Sequence, residues 1–148
     1  MVKPERIIIR VYGLLIENHH ILLLDEIASG MPVTKFPGGG LEPGEGPADC
    51  LVREFKEELG LDIVVKEHFY TTDFFQRSAF NPRDQLISIY YLVNRLNDFN
   101  PAHKLPINDQ EILLQMKWVN LNVLNEDSVT LPVDKVVVRK LKAAYSAA

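Results

Sequence analysis

The sequence predicts an α/β or α+β sandwich in which a mixed sheet packs between helices. Three observations carry this. Strand-type runs rich in Ile, Val, Leu and Tyr fill the first third and the middle of the chain. Two segments, 47–59 and 132–145, carry apolar residues at helical spacing. The two helices are interleaved with the strands rather than grouped apart from them. With 148 residues, 47% of them apolar, the chain can bury a sizeable core, and a single domain over 1–148 is expected.

Residues 5–16 (ERIIIRVYGLLI) are β-branched and apolar and read as a buried strand. Asn18-His19-His20 reads as a turn. Ile21 to Leu24 is a second strand, forming a hairpin with the first, and Met31 to Phe36 a short third. Pro37-Gly38-Gly39-Gly40 is expected to break regular structure. The first helix follows over 47–59. Gly46 is an acceptable N-cap, Pro47 suits the first turn, and Gly60 stands where a left-handed C-cap is wanted. Ala48, Leu51, Phe55 and Leu59 form its apolar stripe. Leu61 to Phe75 is β-rich, one bent strand or two in sequence. Ser78 to Asp84 reads as a loop and Leu86 to Val93 as a strand. Asn97 to Gln110, with Pro101 and Pro106, is expected to be loop. Ile112 to Val119 is the last strand. Pro132 to Tyr145 is the second helix, with Val133, Val136, Val137 and Leu141 facing inward.

Net charge is −4 and no block of five basic residues occurs, so no nucleic-acid partner is expected. No apolar run reaches the roughly eighteen residues of a membrane-spanning helix. The N-terminal run has charges close by and lacks a small-residue cleavage site, so it reads as a strand rather than a signal peptide. The single cysteine, Cys50, cannot pair within the chain, which fits a reducing cytoplasm. Its soft sulfur is poorly matched to a hard cation, and it reads as a small apolar residue beneath the helix. The four histidines show no ligand spacing, and Tyr90, Tyr91 and Trp118 read as core.

The first helix breaks a local rule. Glu54, Glu57 and Glu58, at i, i+3 and i+4, share an arc of roughly 100° beside the apolar stripe. Like charges at that spacing cost about 0.2–0.5 kcal/mol in an isolated helix. Arg53, four residues before Glu57, relieves only part of it. An uncompensated violation of this kind marks a functional site, and clustered carboxylates suit Mg²⁺ or Mn²⁺. Upstream, FPGGGLEPGEGP lets backbone approach a ligand without Cβ obstruction and leads straight into the glutamate helix.

The stretch GGLEPGEGPADCLVREFKEELGL resembles the Nudix box, G-x(5)-E-x(7)-R-E-U-x-E-E-x-G-U, with U an apolar residue. Gly39, Glu45, Arg53, Glu54, Phe55, Glu57, Glu58, Gly60 and Leu61 fill its defined positions. The resemblance implies an α/β/α sandwich and hydrolysis of a nucleoside diphosphate linked to another group, with Mg²⁺ or Mn²⁺ as cofactor. It makes Glu57 and Glu58 metal ligands, Glu54 a ligand or the general base, and the Gly39 carbonyl a further ligand. Arg53 would orient a carboxylate and Glu45 would support the loop. A further catalytic carboxylate is expected before the last strand, with Glu111 the candidate and Asp109 the alternative. Gly39 and Gly40 would line the substrate, and Arg77 and Arg83, flanking the loop after the long β region, would clamp a phosphate.

The proline of one ADP-ribose-hydrolase subgroup is absent, Gln76 and Arg77 standing in its place. The tyrosine of dinucleoside-polyphosphate hydrolases is absent too, Arg77, Ser78 and Ala79 standing there. Nucleoside triphosphate, ADP-ribose, nucleotide sugar and oxidised nucleotide stay open as small-molecule substrates, and the resemblance allows a homodimer. Because NPRDQLISIYYLV also resembles related transcriptional regulators, the alternative is a non-catalytic nucleotide-sensing module. An RNA-directed hydrolase is disfavoured by the lack of a basic groove.

Overall fold

The computed structural model describes residues 2–98, 104–106 and 113–146. Strand β1, Arg6–Glu17, turns at Asn18-His19, both with positive φ (50° and 63°), into β2, His20–Ala28. Paired positive φ values are the twist-matched two-residue hairpin geometry, which Asn tolerates at low cost. β3 is Met31–Lys35 and β4 Gly38–Gly40. Helix α1 spans Pro47–Leu59, and Gly60 ends it in the left-handed region at φ 66°. Then come β5, Ile63–Thr71, β6, Asp84–Arg95, β7, Lys104–Pro106, and β8, Leu113–Asn120. Helix α2 is Pro132–Ala144.

The sheet runs β5-β6-β1-β2-β8-β7, with β3 attached to β2 and β4 to β1. β1 and β6 are parallel over Arg6↔Asp84 to Leu15↔Val93, and the other ladders are antiparallel. The sheet is therefore mixed, as expected. Strand periodicity sends alternate residues to opposite faces. Val11 and Leu15 of β1 and Leu22 and Leu24 of β2 meet Cys50, Leu51, Phe55 and Leu59 of α1. Tyr12 and Leu14, with Ile21 and Leu23, meet Val133, Val137, Val138 and Leu141 of α2. The two helices thus cover the two faces, an α/β/α sandwich. Each fully buried Leu or Phe here contributes about 1.5–3 kcal/mol before entropy is counted.

Several sequence expectations need correction. Gly38–Gly40 does not break regular structure: it pairs with β1, Gly39 opposite Val11. A glycine run reads as loop because it lacks side chains to pack, yet the exposed flank of β1 supplies a ladder that needs only backbone. β2 continues past Leu24 to Ala28, because Asp25 and Glu26 are matched by Lys117 and Lys35. A short strand, β7, interrupts the expected 97–110 loop, pairing with β8 despite Pro106. In α1 Ala48 is exposed and Cys50 buried, and in α2 Val138 is fully buried where Val136 is only partly so. β5 ends at Thr71 and leaves Phe74 and Phe75 exposed. Among the described residues no helix is long and apolar enough to cross a membrane.

Candidate active site

The loop after β4 delivers the chain directly to the start of α1, so the carboxylates of the helix face the glycine strand. Arg53 ties the two together. Its Nε and Nη2 donate to Glu45 Oε2 and Oε1 at 3.0 and 2.7 Å, a two-pronged pair that fixes both partners in angle as well as distance. Nη1 donates to Glu54 Oε1 at 3.0 Å and to Glu57 Oε2 at 3.1 Å. Nη2 also donates to the Gly40 carbonyl at 3.1 Å. The Arg53 hydrogen bonds, and after them the Glu42 amide at 2.9 Å, hold the Glu45 carboxyl down at about 2. Glu45 is therefore a permanent anion that anchors Arg53 rather than a proton carrier.

Gly39 is required by space. A Cβ there would lie 2.2 Å from Cδ of Glu54 and 2.4 Å from its Oε1. The Glu54 carboxylate thus rests directly on backbone, with a side-chain exposure of only 13%. Glu58 is half-buried. Burial pushes its carboxyl up to about 7, the charges of Glu54 and Glu26 add to this, and Lys35 and Arg10 offset part of it. The Cys50 thiol is pushed up to about 12, chiefly by burial and then by Glu45, so it stays protonated.

Among the described residues no three His, Cys, Asp or Glu side chains are gathered as a ligand set. The physical reason is Arg53: one of its nitrogens draws both Glu54 and Glu57, and Glu57 is 61% exposed on the outer side. The residues nonetheless fit a hard divalent cation. Three carboxylates share one edge of α1, and burial, with the charges of Glu54 and Glu26, pushes the Glu58 carboxyl up despite Lys35 and Arg10, a penalty that a bound cation would relieve.

Glu111 and Asp109 lie outside the described residues. Arg83 is not brought to the helix: it is exposed and pairs with Glu5 at 2.6 Å. Arg77 donates from Nη1 to the Pro82 carbonyl and from Nη2 to the Val2 carbonyl, and its guanidinium lies over the Phe75 ring. It does line a cavity, shared with Arg10, Lys35 and Asp134.

That cavity encloses about 340 Å³, inside the ~300–1,000 Å³ range of small-molecule sites. Its wall includes Arg10, Tyr12, Lys35, Arg77, Tyr90 and Asp134. Arg10 donates to the Tyr12 hydroxyl at 2.8 Å and feels the charges of Glu54 and Glu58. Lys35 pairs with Glu26 at 2.6 Å. Asp134, completely buried, accepts from the Tyr90 hydroxyl at 2.6 Å. The sequence reading passed over Arg10, Lys35 and Asp134. Arg10 carried a signal, a lone charge inside IIIRVYG, where a central strand tolerates one only with a partner. Asp134 carried none, since an acid in the first turn of a helix is ordinary.

A NUDIX domain model matches residues 6–141. The human protein "Nucleoside diphosphate-linked moiety X motif 6" is 34% identical over 112 residues, 75% of this chain, and the chain spans about a third (33%) of that relative's length. The "8-oxo-dGTP diphosphatase" of Escherichia coli K12 is 28% identical over 85% of this chain and 88% of its own. Among solved structures, the E. coli ORF135 protein superposes with a TM-score of 0.72 at 23% identity over 97% of this chain and 96% of its own. The MutT protein of Methanosarcina mazei Go1 does so with a TM-score of 0.72 at 21% identity over 99% of both chains. At those identities the structures speak for the fold.

Proposed function

From the premise that the chain belongs to the Nudix family, we propose that it hydrolyses a phosphoanhydride bond of a nucleoside diphosphate linked to another group. The observation that carries this is the arrangement around Arg53, which holds Glu45, Glu54 and Glu57 against Gly40 while Glu54 rests on Gly39. Glu54, Glu57, Glu58 and the Gly39 carbonyl are the groups to hold Mg²⁺ or Mn²⁺. When bound, the cation supplies charge stabilisation at the phosphoryl oxygens and acidifies water. Arg53 keeps the carboxylates in place and Glu45 keeps Arg53 in place. Glu54, immobilised by the Arg53 hydrogen bond and the Gly39 backbone, orients water for attack at phosphorus. Arg10 and Lys35 line the cavity, interact electrostatically with Glu58, and attract the substrate phosphates.

The test is a panel of nucleoside triphosphates, ADP-ribose and nucleotide sugars with Mg²⁺ and Mn²⁺, read as phosphate and nucleotide release. Turnover of one compound that disappears in Glu57→Gln and Glu58→Gln supports the hydrolase. Turnover unchanged in both variants overturns the site. Metal-dependent binding without turnover of any compound favours a nucleotide-sensing module instead.

A further inference from the structure

Arg10 is a charged residue in the middle of a sheet, a position that costs free energy unless the charge finds a partner. It lies on β1 between β6 and β4, opposite Ser88 and Gly40. Its Nε donates to the Tyr12 hydroxyl at 2.8 Å, and this is its one side-chain hydrogen bond among the described residues. It interacts electrostatically with Glu54 and Glu58 but forms an ion pair with neither. Its terminal nitrogens are therefore unspent, and unlike Nε of Arg77 they are not enclosed. A guanidinium carries five N–H donors, so four remain, two of them along the end-on edge that grips a pair of acceptor oxygens.

The hydroxyl that takes Nε is itself fixed. Tyr12 is 3% exposed, its ring stacks on Tyr90 at 5.0 Å, and Tyr90 donates to the enclosed Asp134 at 2.6 Å. Arg10 and Tyr12 stand two positions apart on one strand, so their side chains leave the same face. The guanidinium lies alongside the ring, with Cζ 5.6 Å from its centre. Its far end reaches Gly40, where a Cβ would lie 3.9 Å from Nη1, in ordinary contact. The Gly40 carbonyl accepts from Arg53 at 3.1 Å, and the preceding Gly39 carries Glu54. The open end of Arg10 thus comes to the strand on which the carboxylate site is built. Ordering a long side chain opposes binding, and the bond at Nε completes that ordering in advance.

We propose that Tyr12 is a positioning residue, whose hydroxyl holds Arg10 by Nε so that Nη1 and Nη2 grip non-bridging oxygens of the substrate's diphosphate. The proposal rests on the hydrolase reading above, which supplies the diphosphate and reserves Glu54 and Glu58 for the cation. Tyr12 acts only through Arg10, and Arg10 is the residue that touches substrate.

The experiment is calorimetric titration with inorganic pyrophosphate at fixed Mg²⁺ of the wild-type protein, Tyr12→Phe, Arg10→Ala and the double variant. Pyrophosphate carries two phosphoryl groups and nothing else, so it reads the diphosphate contacts alone. Phe keeps the ring that stacks on Tyr90 and removes only the hydroxyl. Tyr12→Phe is expected to weaken binding about tenfold, and Arg10→Ala by about tenfold to 100-fold. The double variant is expected to bind within about twofold of Arg10→Ala, because the hydroxyl has nothing left to position. A loss in Tyr12→Phe that recurs in full on the Arg10→Ala background marks a merely structural tyrosine and overturns the proposal. Unchanged affinity in either single variant, or no binding of pyrophosphate to the wild-type protein, overturns it too. If a variant folds poorly, NMR of the wild-type arginine side chains decides. Pyrophosphate is expected to shift the Arg10 Nη signals and leave an already protected Nε–H in place; an Nε–H open to exchange in the free protein overturns the proposal. Nucleotide turnover undiminished in Arg10→Ala overturns it while leaving the hydrolase intact. The expected coupling with pyrophosphate, without hydrolysis of any compound in the panel, upholds it and overturns the hydrolase.

Discussion

Asp134 should impose a pH dependence on stability that its amide would remove. The carboxyl is wholly enclosed, and burial pushes it from its ordinary 3.8 up to about 6, against the offsetting Tyr90 hydroxyl, Phe36 amide, Lys35 and Arg10. At about 1.36 kcal/mol for each tenfold change in proton affinity, that displacement is worth roughly 3 kcal/mol. The folded protein binds this proton more tightly than the unfolded chain. The stability it contributes is therefore complete below about pH 3.8 and is lost as pH rises through about 6. The groups facing it are Tyr90 from β6, Tyr12 and Arg10 from β1, and Lys35 from β3. Both tyrosines are pushed above their ordinary 10 and Arg10 is raised as well, so these three do not titrate in that window. Asn keeps an acceptor for Tyr90 and carries no charge. The stability difference between Asp134→Asn and wild type, from urea unfolding at pH 4, 5, 6, 7 and 8, should shift in favour of the variant by about 2–3 kcal/mol across the series. Using the difference cancels carboxylates common to both proteins, Glu58 included. A difference that is flat across that range refutes the account of Asp134 as a desolvated acid.

Gly39→Ala should place a methyl inside the Glu54 carboxylate. Steady-state kinetics should show kcat down by about 100-fold, since displacements near 1 Å cost that much, with the fold intact by circular dichroism. Arg53→Lys gives up the two-pronged pair with Glu45 and the simultaneous reach to Glu54 and Gly40. Turnover should fall by about 10–100-fold, and the Glu45 carboxyl, followed by NMR titration, should rise from about 2 toward its ordinary value. A Lys variant with wild-type turnover would show that the fork is not needed. Cys50, buried with its thiol pushed up to about 12, should resist a thiol-specific reagent at pH 8 until the protein is unfolded; rapid labelling of the native protein would contradict its placement.

Much of this arrangement could be read from residue order. The stripe Leu51, Phe55, Leu59 and the caps Gly46 and Gly60 place α1 between the residues where it is found. The acidic arc on its flank follows from spacing alone. The parts that escaped reading depend on partners distant in sequence. β2 looked finished at Leu24 because the charges of Asp25 and Glu26 acquire their partners only when Lys117 and Lys35 arrive beside them. Gly38–Gly40 looked like loop because nothing local reveals that β1 leaves an edge open there. The cavity escaped for the same reason. Arg10, Lys35, Arg77 and Asp134 belong to four separate segments, and only the closed sheet with α2 laid on it brings them to one wall.

The parallel pairing of β1 with β6 has a bearing on how the chain is made. Arg6 meets Asp84 across 78 positions, so β1 must wait for most of this domain to be synthesised before it acquires this neighbour. Until then an apolar segment, IIIRVYGLLI, keeps an open edge able to pair with strands of other molecules. Contacts this distant make closure of the central ladder a late step and slow folding relative to local hairpins. Nascent chains stalled before β6 should therefore be the species most prone to aggregate and most dependent on chaperones.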